Sequence, residues 1–437
     1  MEPRHRVVIL GGGFGGLYAA KALKHAPVQV TLLDRRNFHL FQPLLYQVAT
    51  GSLSPGEIAS PLRAVFRRQK NTEVLLGEAV DLDASGHRVL LADGAIDYDF
   101  LIVATGSADS YFGHDEWREY APGLKSIEEA TAIRHKILYA FEAAEREQDP
   151  EKRREWLTFV LAGGGPTGVE LAGALGEIAH DTLRRDFRSI DPRDAVIYLV
   201  EGGPRVLPTY PPDLSAKAES SLDRLGVTVR TNTFVTGVDA EGVTVKTPAG
   251  NERIPARTVI WSAGVRASSF GRVLARRAGA ELDKGGRVIV NPDLSVPGHP
   301  EIFVIGDLAH RDQDGKMLPG VSPVAIQGGG YVAKTIQKRL RGESAPDFRY
   351  RDMGNLAVIG RASAVADIGG LHLSGLVAWF IWLFVHLMNL VQFANRVLVF
   401  IQWGFLYLTY SRGARLITGE DQRVTAGAPE DVHRLVR

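Results

Sequence analysis

Short apolar runs that end in glycine clusters recur along this chain, and the same series of elements occurs twice. Val7 to Leu10 predicts a strand, Gly11-Gly12-Gly13-Phe14-Gly15-Gly16 a tight turn, Leu17 to Lys24 a helix, and Val28 to Leu33 a second strand closed by Asp34. Further strands are expected at Val74 to Leu76, Arg88 to Leu91 and Phe100 to Val103, the last entering Ala104-Thr105-Gly106. The second pass begins at Thr158 to Leu161, turns through Gly163-Gly164-Gly165-Pro166-Thr167-Gly168, continues in a helix from Val169 and a strand from Ala195 to Val200, and closes on Glu201. Strands at Val227 to Arg230, Val243 to Lys246 and Thr258 to Trp261 follow, the last entering Ser262-Ala263-Gly264. A third run, Ile302 to Ile305, carries Gly306-Asp307 at its end. Strands alternating with helices in this way predict an α/β fold on parallel sheets.

Four stretches depart from that rhythm. Phe38 to Gly51 is apolar and irregular where a loop would ordinarily be polar, so it either walls an apolar channel or packs over a sheet edge. Glu142 to Glu155 is a charged, helix-prone connector expected to be solvated, and Tyr350 to Asp367 predicts strands. From Leu373 to Ser411 the 39 residues include ten aromatics and a single charge, Arg396, in a chain that is 23% charged overall. Leu373 to Val391 is near the length of ~20 residues that spans hydrocarbon. His386, Asn389 and Gln392 nonetheless form a polar seam along it, and Asn395-Arg396 interrupts the run. The pattern favours two helices lying in one leaflet, with Arg396, Arg412 and Arg415 near lipid phosphates. A homodimer interface is the other arrangement that would cover such a surface. The residues from Arg412 on are expected to be frayed.

Composition narrows the chemistry. The 437 residues include no cysteine, which excludes disulfide frameworks, cysteine-ligated metals, thiol nucleophiles and dithiol relays. Any redox chemistry must then be carried by a bound group. The 51 basic and 50 acidic residues give a net charge of +1 and no electrostatic case for nucleic acid. No metal site is expected. Met1 to Arg6 runs directly into the first strand without a leader pattern, so a cytoplasmic placement is expected.

The two glycine turns carry the candidate chemistry. A dinucleotide pyrophosphate binds where a strand turns tightly into a helix, because the first helical N–H groups and the dipole favour an anion. Gly11 makes the first turn, Gly13, Phe14 and Gly15 bring backbone to the phosphates, and Gly16 lets helix and strand approach; Asp34, beside Arg35, can accept from a ribose diol. Gly163, Gly165, Pro166, Thr167, Gly168 and Glu201 offer the same set again. Glu201 follows Gly168 by 33 residues, later than the roughly 20 usual for this unit, and polar Arg184 to Asp194 reads as an insertion. As acceptor of a 2′-hydroxyl, Glu201 would favour NADH over NADPH, with Arg205 placed to soften that choice. Asp307 reads either as a helix N-cap or as a ligand to a bound group.

Two such units with a third acid-bearing turn resemble the two-dinucleotide-binding-domain flavoproteins, whose fold is glutathione-reductase-like: one Rossmann-like domain for FAD and one for NAD(H). The resemblance implies an FAD domain in two parts, 1–120 and 286–349, around an NAD(H) domain at 121–285, with 350–437 as C-terminal strands and membrane-attachment helices. It assigns Thr105, Gly106, Gly306, Asp307 and Ala325 to FAD and Gly264 to the second unit. Phe41-Gln42-Pro43-Leu44-Leu45-Tyr46-Gln47-Val48-Ala49-Thr50-Gly51, the second turn through Glu170, and Leu318-Pro319-Gly320 through Gln327 are similar to the type II NADH dehydrogenases. These pass hydride from NADH to FAD and two electrons to a membrane quinone without pumping protons, at the cytoplasmic face of the cell membrane. By that resemblance Glu170 lies near the nicotinamide, Gln327 beside the flavin, and Tyr46, Gln47, Pro323 and Ile326 line the quinone channel. Glu170 could alternatively be a first-turn acid stabilised by the helix dipole. Where the family often has Ala-Gln, this chain has Ser322-Pro323, which keeps open two other readings: a soluble NAD(P)H-dependent flavin reductase feeding a protein carrier or oxygen, and a redox-sensing binding protein like apoptosis-inducing factor.

Overall fold

A computed structural model describes residues 5–409 and 412–418; Tyr410, Ser411 and the segment beyond Thr418 lie outside the described residues. Its largest sheet orders Ser295–Val296, His299–Val304, Phe100–Val103, His5–Leu10, Val28–Asp34 and Thr72–Leu76, the last five parallel and the first an antiparallel edge. Helices cover both faces, which is why Val7 to Leu10 and Leu101 to Val103 read as unbroken apolar runs and are buried throughout. The second sheet orders Val227–Arg230, Val196–Val200, Thr158–Ala162 and Thr258–Trp261, all parallel.

Each unit also carries a three-stranded antiparallel crossing sheet, at Ala79–Asp83, Arg88–Leu91 and Ala95–Asp97 in the first and Phe234–Asp239, Gly242–Thr247 and Gly250–Pro255 in the second. In both, only the middle strand is legible from the sequence; the outer ones mix charges and glycine into short exposed runs. The two halves meet where Ser107–Asp109 pairs antiparallel with Val265–Ala267. A third sheet, Asn355–Gly360, Ser363–Ile368 and Leu371–Ser374, presses on the helix Pro166–Glu177, where a Cβ on Gly173 would lie 1.7 Å from the Ile359 carbonyl oxygen.

Several expectations change. Phe38 to Gly51 is ordered structure: strand Phe38–Leu40 pairs with Ala59–Pro61, and after a 3-10 turn the helix Leu45–Ala49 buries Leu45, Val48 and Ala49. Residues 44, 45, 48 and 49 have helical spacing, hidden in the sequence by Pro43 and the surrounding aromatics. The connector is the end of a long helix, Ile127–Arg146, whose Ile133, Ile137, Phe141 and Ala144 are core, followed by Pro150–Trp156 with none buried. Glu145 on the long helix accepts from the N–H groups of Arg188, Ser189 and Ile190, which pins the polar insertion.

The apolar end forms two helices, Gly375–Asn389 and Phe393–Thr409. No helix among the described residues is long and apolar enough to cross a membrane. Ala378, Trp379, Trp382, Val399 and Trp403 face inward, while Phe380, Phe384, Phe393, Phe400, Phe405 and Leu408 are exposed. Arg412 neither frays nor faces outward. Its side chain is 2% exposed and pairs with Glu177 at 2.9 Å, and it donates to Ser52 Oγ and the carbonyls of Thr50 and Ala174. Arg415 pairs with Asp186, and Arg396 donates to the Leu390 carbonyl. Carboxylates and carbonyls far away in sequence claim Arg412 and Arg415, and a carbonyl six residues back claims Arg396.

Candidate functional site

The two glycine turns superpose in their chemistry. Gly11 has φ +102° and Gly163 φ +105°, a backbone region open only to glycine. A Cβ on Gly16 would lie 1.9 Å from the Gly11 carbonyl oxygen, and one on Gly168 would lie 1.8 Å from that of Gly163, so each helix crosses its strand in backbone contact. The helices start at Phe14 and Pro166, earlier than expected, because the turn glycines themselves form the first helical turn. Their N-caps, Gly13 and Gly165, have no side-chain cap and face open space, leaving the first N–H groups for an anion.

The acids brace the turns. Asp34 accepts from Gly12 N at 2.5 Å and Arg36 N at 2.7 Å; Glu201 accepts from Gly164 N and Gly203 N, both at 2.7 Å. Glu201 therefore reaches the same place despite the longer connection. Arg205 does not oppose it, because its guanidinium donates to the carbonyls of Pro208 and Tyr210.

One open cleft of about 2600 Å³ runs along the first turn, well above the roughly 300–1,000 Å³ of a single small-ligand site. Gly11, Gly13, Phe14, Gly15, Asp34 and Arg35 line one end, with Thr105, Gly106, Gly306, Asp307 and Ala325 beside them. Pro323, Ile326, Gln327, Tyr46, Pro166, Thr167 and Glu170 line the same cleft. Gly16, Gln47, Gly163, Gly165, Gly168, Glu201 and Gly264 do not. Asp307 is not the N-cap of a long helix: it sits in a 3-10 turn and accepts from Ser107 Oγ at 2.7 Å. Gln327 holds the chain ahead of the third sheet, donating to the Arg351 carbonyl at 2.9 Å and accepting from its N–H at 3.0 Å. Pro323 stands in the first turn of the helix Ser322–Arg339, where its missing N–H costs no hydrogen bond.

Glu170 is not a first-turn acid. It lies in the second turn of its helix, 8% exposed, and burial raises its carboxyl to about 8, an effect that the nearby Val358 backbone and Trp382 side chain offset only in part. The group is therefore mainly protonated at neutral pH. Gln47 lies behind the wall, donating to Tyr46 Oη at 2.8 Å and accepting from Trp403 Nε1 at 2.7 Å.

Residues that sequence reasoning passed over complete the site. His39 Nδ1 donates to the Gly12 carbonyl at 2.9 Å, and burial pulls the imidazole down to about 4, so a neutral ring supports the first turn from below. Aromatic contacts run from that turn to the apolar helices: Phe14 to Phe41 at 5.7 Å, Phe41 to His386 at 6.3 Å and His386 to Trp382 at 4.2 Å between ring centroids. No local signal marks His39 or Trp403; His386 was visible only as part of a polar seam.

A family model described as pyridine nucleotide-disulphide oxidoreductase matches residues 5–329, and one described as NDH2 C-terminal domain matches 353–409. The chain is 48% identical to a type II NADH:quinone oxidoreductase of Mycobacterium tuberculosis, over 95% of its own length and 91% of the relative's. It is 29% identical to the protein of that name from Staphylococcus haemolyticus, over 87% and 93% respectively. Its fold is similar to that of NDH2 from Plasmodium falciparum in complex with NADH, with a TM-score of 0.85 at 20% identity over 95% of this chain and 100% of that one. From the first glycine turn to the last apolar helix, the chain belongs to the type II NADH:quinone oxidoreductases.

Proposed function

We propose that the protein oxidises NADH at the second turn and passes the electrons through bound FAD at the first turn to a membrane quinone, while resting on the cytoplasmic face of the membrane. The observation that carries this reading is the continuity of the cleft, which joins the first turn, Gln327 and Glu170 to Val385, His386 and Asn389 on the apolar helix pair. The residues present fit FAD: an uncapped helix start, Asp34 held beside it, and Asp307 with one oxygen on Ser107 and the other beside Gly320. Bound there, FAD would supply the two-electron step between NADH and the acceptor.

The protein's own residues do the rest. Glu201 presents its carboxylate at the second turn, where it accepts from a 2′-hydroxyl and repels a 2′-phosphate; with Arg205 tied to its own loop, NADH is strongly preferred. Glu170, neutral when protonated, adds no charge beside an entering nicotinamide. Tyr46, Phe41, Pro323 and Ile326 supply apolar wall, and Gln327 the amide at that wall. The exposed aromatic and aliphatic face of residues 373–409 supports burial in one leaflet, and no ionisable series along it suggests a proton path. The described part of that segment carries one charge, Arg396.

The test is spectroscopic. NADH is expected to bleach the flavin absorbance of the purified protein, and tetramethyl-1,4-benzoquinone to restore it under anaerobic conditions. Bleaching without restoration would overturn the quinone reading.

A further inference from the structure

Two residues of the polar seam, His386 and Asn389, lie on Gly375–Asn389 and line the cleft, and their side chains are committed in the same sense. His386 Nδ1 lies 2.8 Å from the Trp382 carbonyl, four residues back. A carbonyl can only accept, so Nδ1 carries the proton and Nε2 is a bare lone pair. Asn389 Nδ2 lies 2.8 Å from the Val385 carbonyl, again four residues back, which assigns the amide and leaves Oδ1 outward. Both residues line the cleft, and neither Nε2 nor Oδ1 has a partner among the described residues. The imidazole is fixed by stacking on Trp382 and an edge contact with Phe41. Burial draws it down to about 4, so it stays neutral at working pH.

A quinone head group offers only carbonyl acceptors, whereas the reduced head group offers two hydroxyl donors. We propose that His386 and Asn389 form an acceptor seam that recognises the hydroquinone product, His386 Nε2 taking the hydrogen bond of one hydroxyl. The seam then holds product more tightly than substrate, and quinol departure competes with entry of the next quinone. This inference rests on the quinone reading of the cleft.

The experiment uses the flavin-loaded enzyme, with tetramethyl-1,4-benzoquinone as acceptor and its hydroquinone as added inhibitor, under anaerobic conditions. His386→Phe keeps the ring stack and removes the lone pair; it is expected to raise the hydroquinone inhibition constant about tenfold, the scale of one lost hydrogen bond. Flavin absorbance and bleaching by NADH are expected to hold, and the quinone KM to shift by clearly less than the hydroquinone inhibition constant. Asn389→Leu, at an exposed position, is expected to raise the same constant about threefold, and His386→Gln to bring it back toward wild type. Unchanged inhibition in both His386→Phe and Asn389→Leu, or equal weakening of quinone and hydroquinone, would overturn the seam. If His386→Phe loses its flavin, Asn389→Leu alone decides. A wild-type enzyme that NADH bleaches and the quinone cannot reoxidise would remove the quinone reading and the seam with it.

Discussion

At the first glycine turn Asp34 holds the Gly12 N–H, and at the second Glu201 holds that of Gly164, with φ at Gly11 and Gly163 differing by 3°. The local structures are the same; what is laid over them differs. The helix Ser322–Arg339 packs on the first helix, with Gly329 against the Gly15 carbonyl, and Asp307 arrives from the return strand. The second helix is packed instead by the helix Leu45–Ala49. It also runs longer, to Glu177, and carries the third sheet at Gly173 and the Arg412 pair. Under the proposed function, one motif would serve a resident group where Ser322–Arg339 packs on its helix and an exchanging ligand where other elements do.

The largest expected effect tests that difference directly. Gly16→Ala should yield protein with no flavin absorbance, because the methyl meets backbone that cannot yield. The matching Gly168→Ala should keep the flavin and raise the KM for NADH by about a hundredfold, near the 2.7 kcal/mol that two decades represent. Equal flavin loss in both would break the comparison.

The second test concerns the longer helix. Arg412→Ala takes the arginine from the largely buried Glu177 carboxylate and leaves it the Arg361 N–H, and should lower unfolding free energy by about 3 kcal/mol in thermal or denaturant unfolding. Arg415→Ala removes a more exposed pair with Asp186 and should cost less than about 1 kcal/mol.

The third test follows from Glu170. Its folded-state pKa, about 8, lies above the ordinary 4.5. Between those values the folded state keeps a proton that the unfolded chain has lost, so stability is full below pH 4.5 and declines as pH rises toward 8. Over pH 5 to 7 the decline amounts to at most about 3 kcal/mol, and Glu170→Gln should flatten it. A melting temperature with the same pH slope in both proteins would show that Glu170 is ionised in the fold. The first helix has no buried acid at the matching position, Tyr18, and offers no such dependence.

Much of this architecture is legible locally. Strand, glycine turn, helix and strand-end acid are set by residues within a few tens of positions, because a positive φ at Gly11, a backbone crossing at Gly16 and an N-cap without a side chain are demands of the turn itself. The exposed and buried faces of the last two helices likewise follow from their spacing. Tertiary structure decided the rest: that Arg412 is buried rather than set against lipid, that Glu170 is buried with its carboxyl pushed up, that His39 supports Gly12, and that His386 lines the cleft with Nδ1 on the Trp382 carbonyl. The physical reason is common to these residues. A side chain's charge state and hydrogen-bond partner depend on what displaces water around it, and here that is chain up to 362 residues away, as between Arg412 and Thr50.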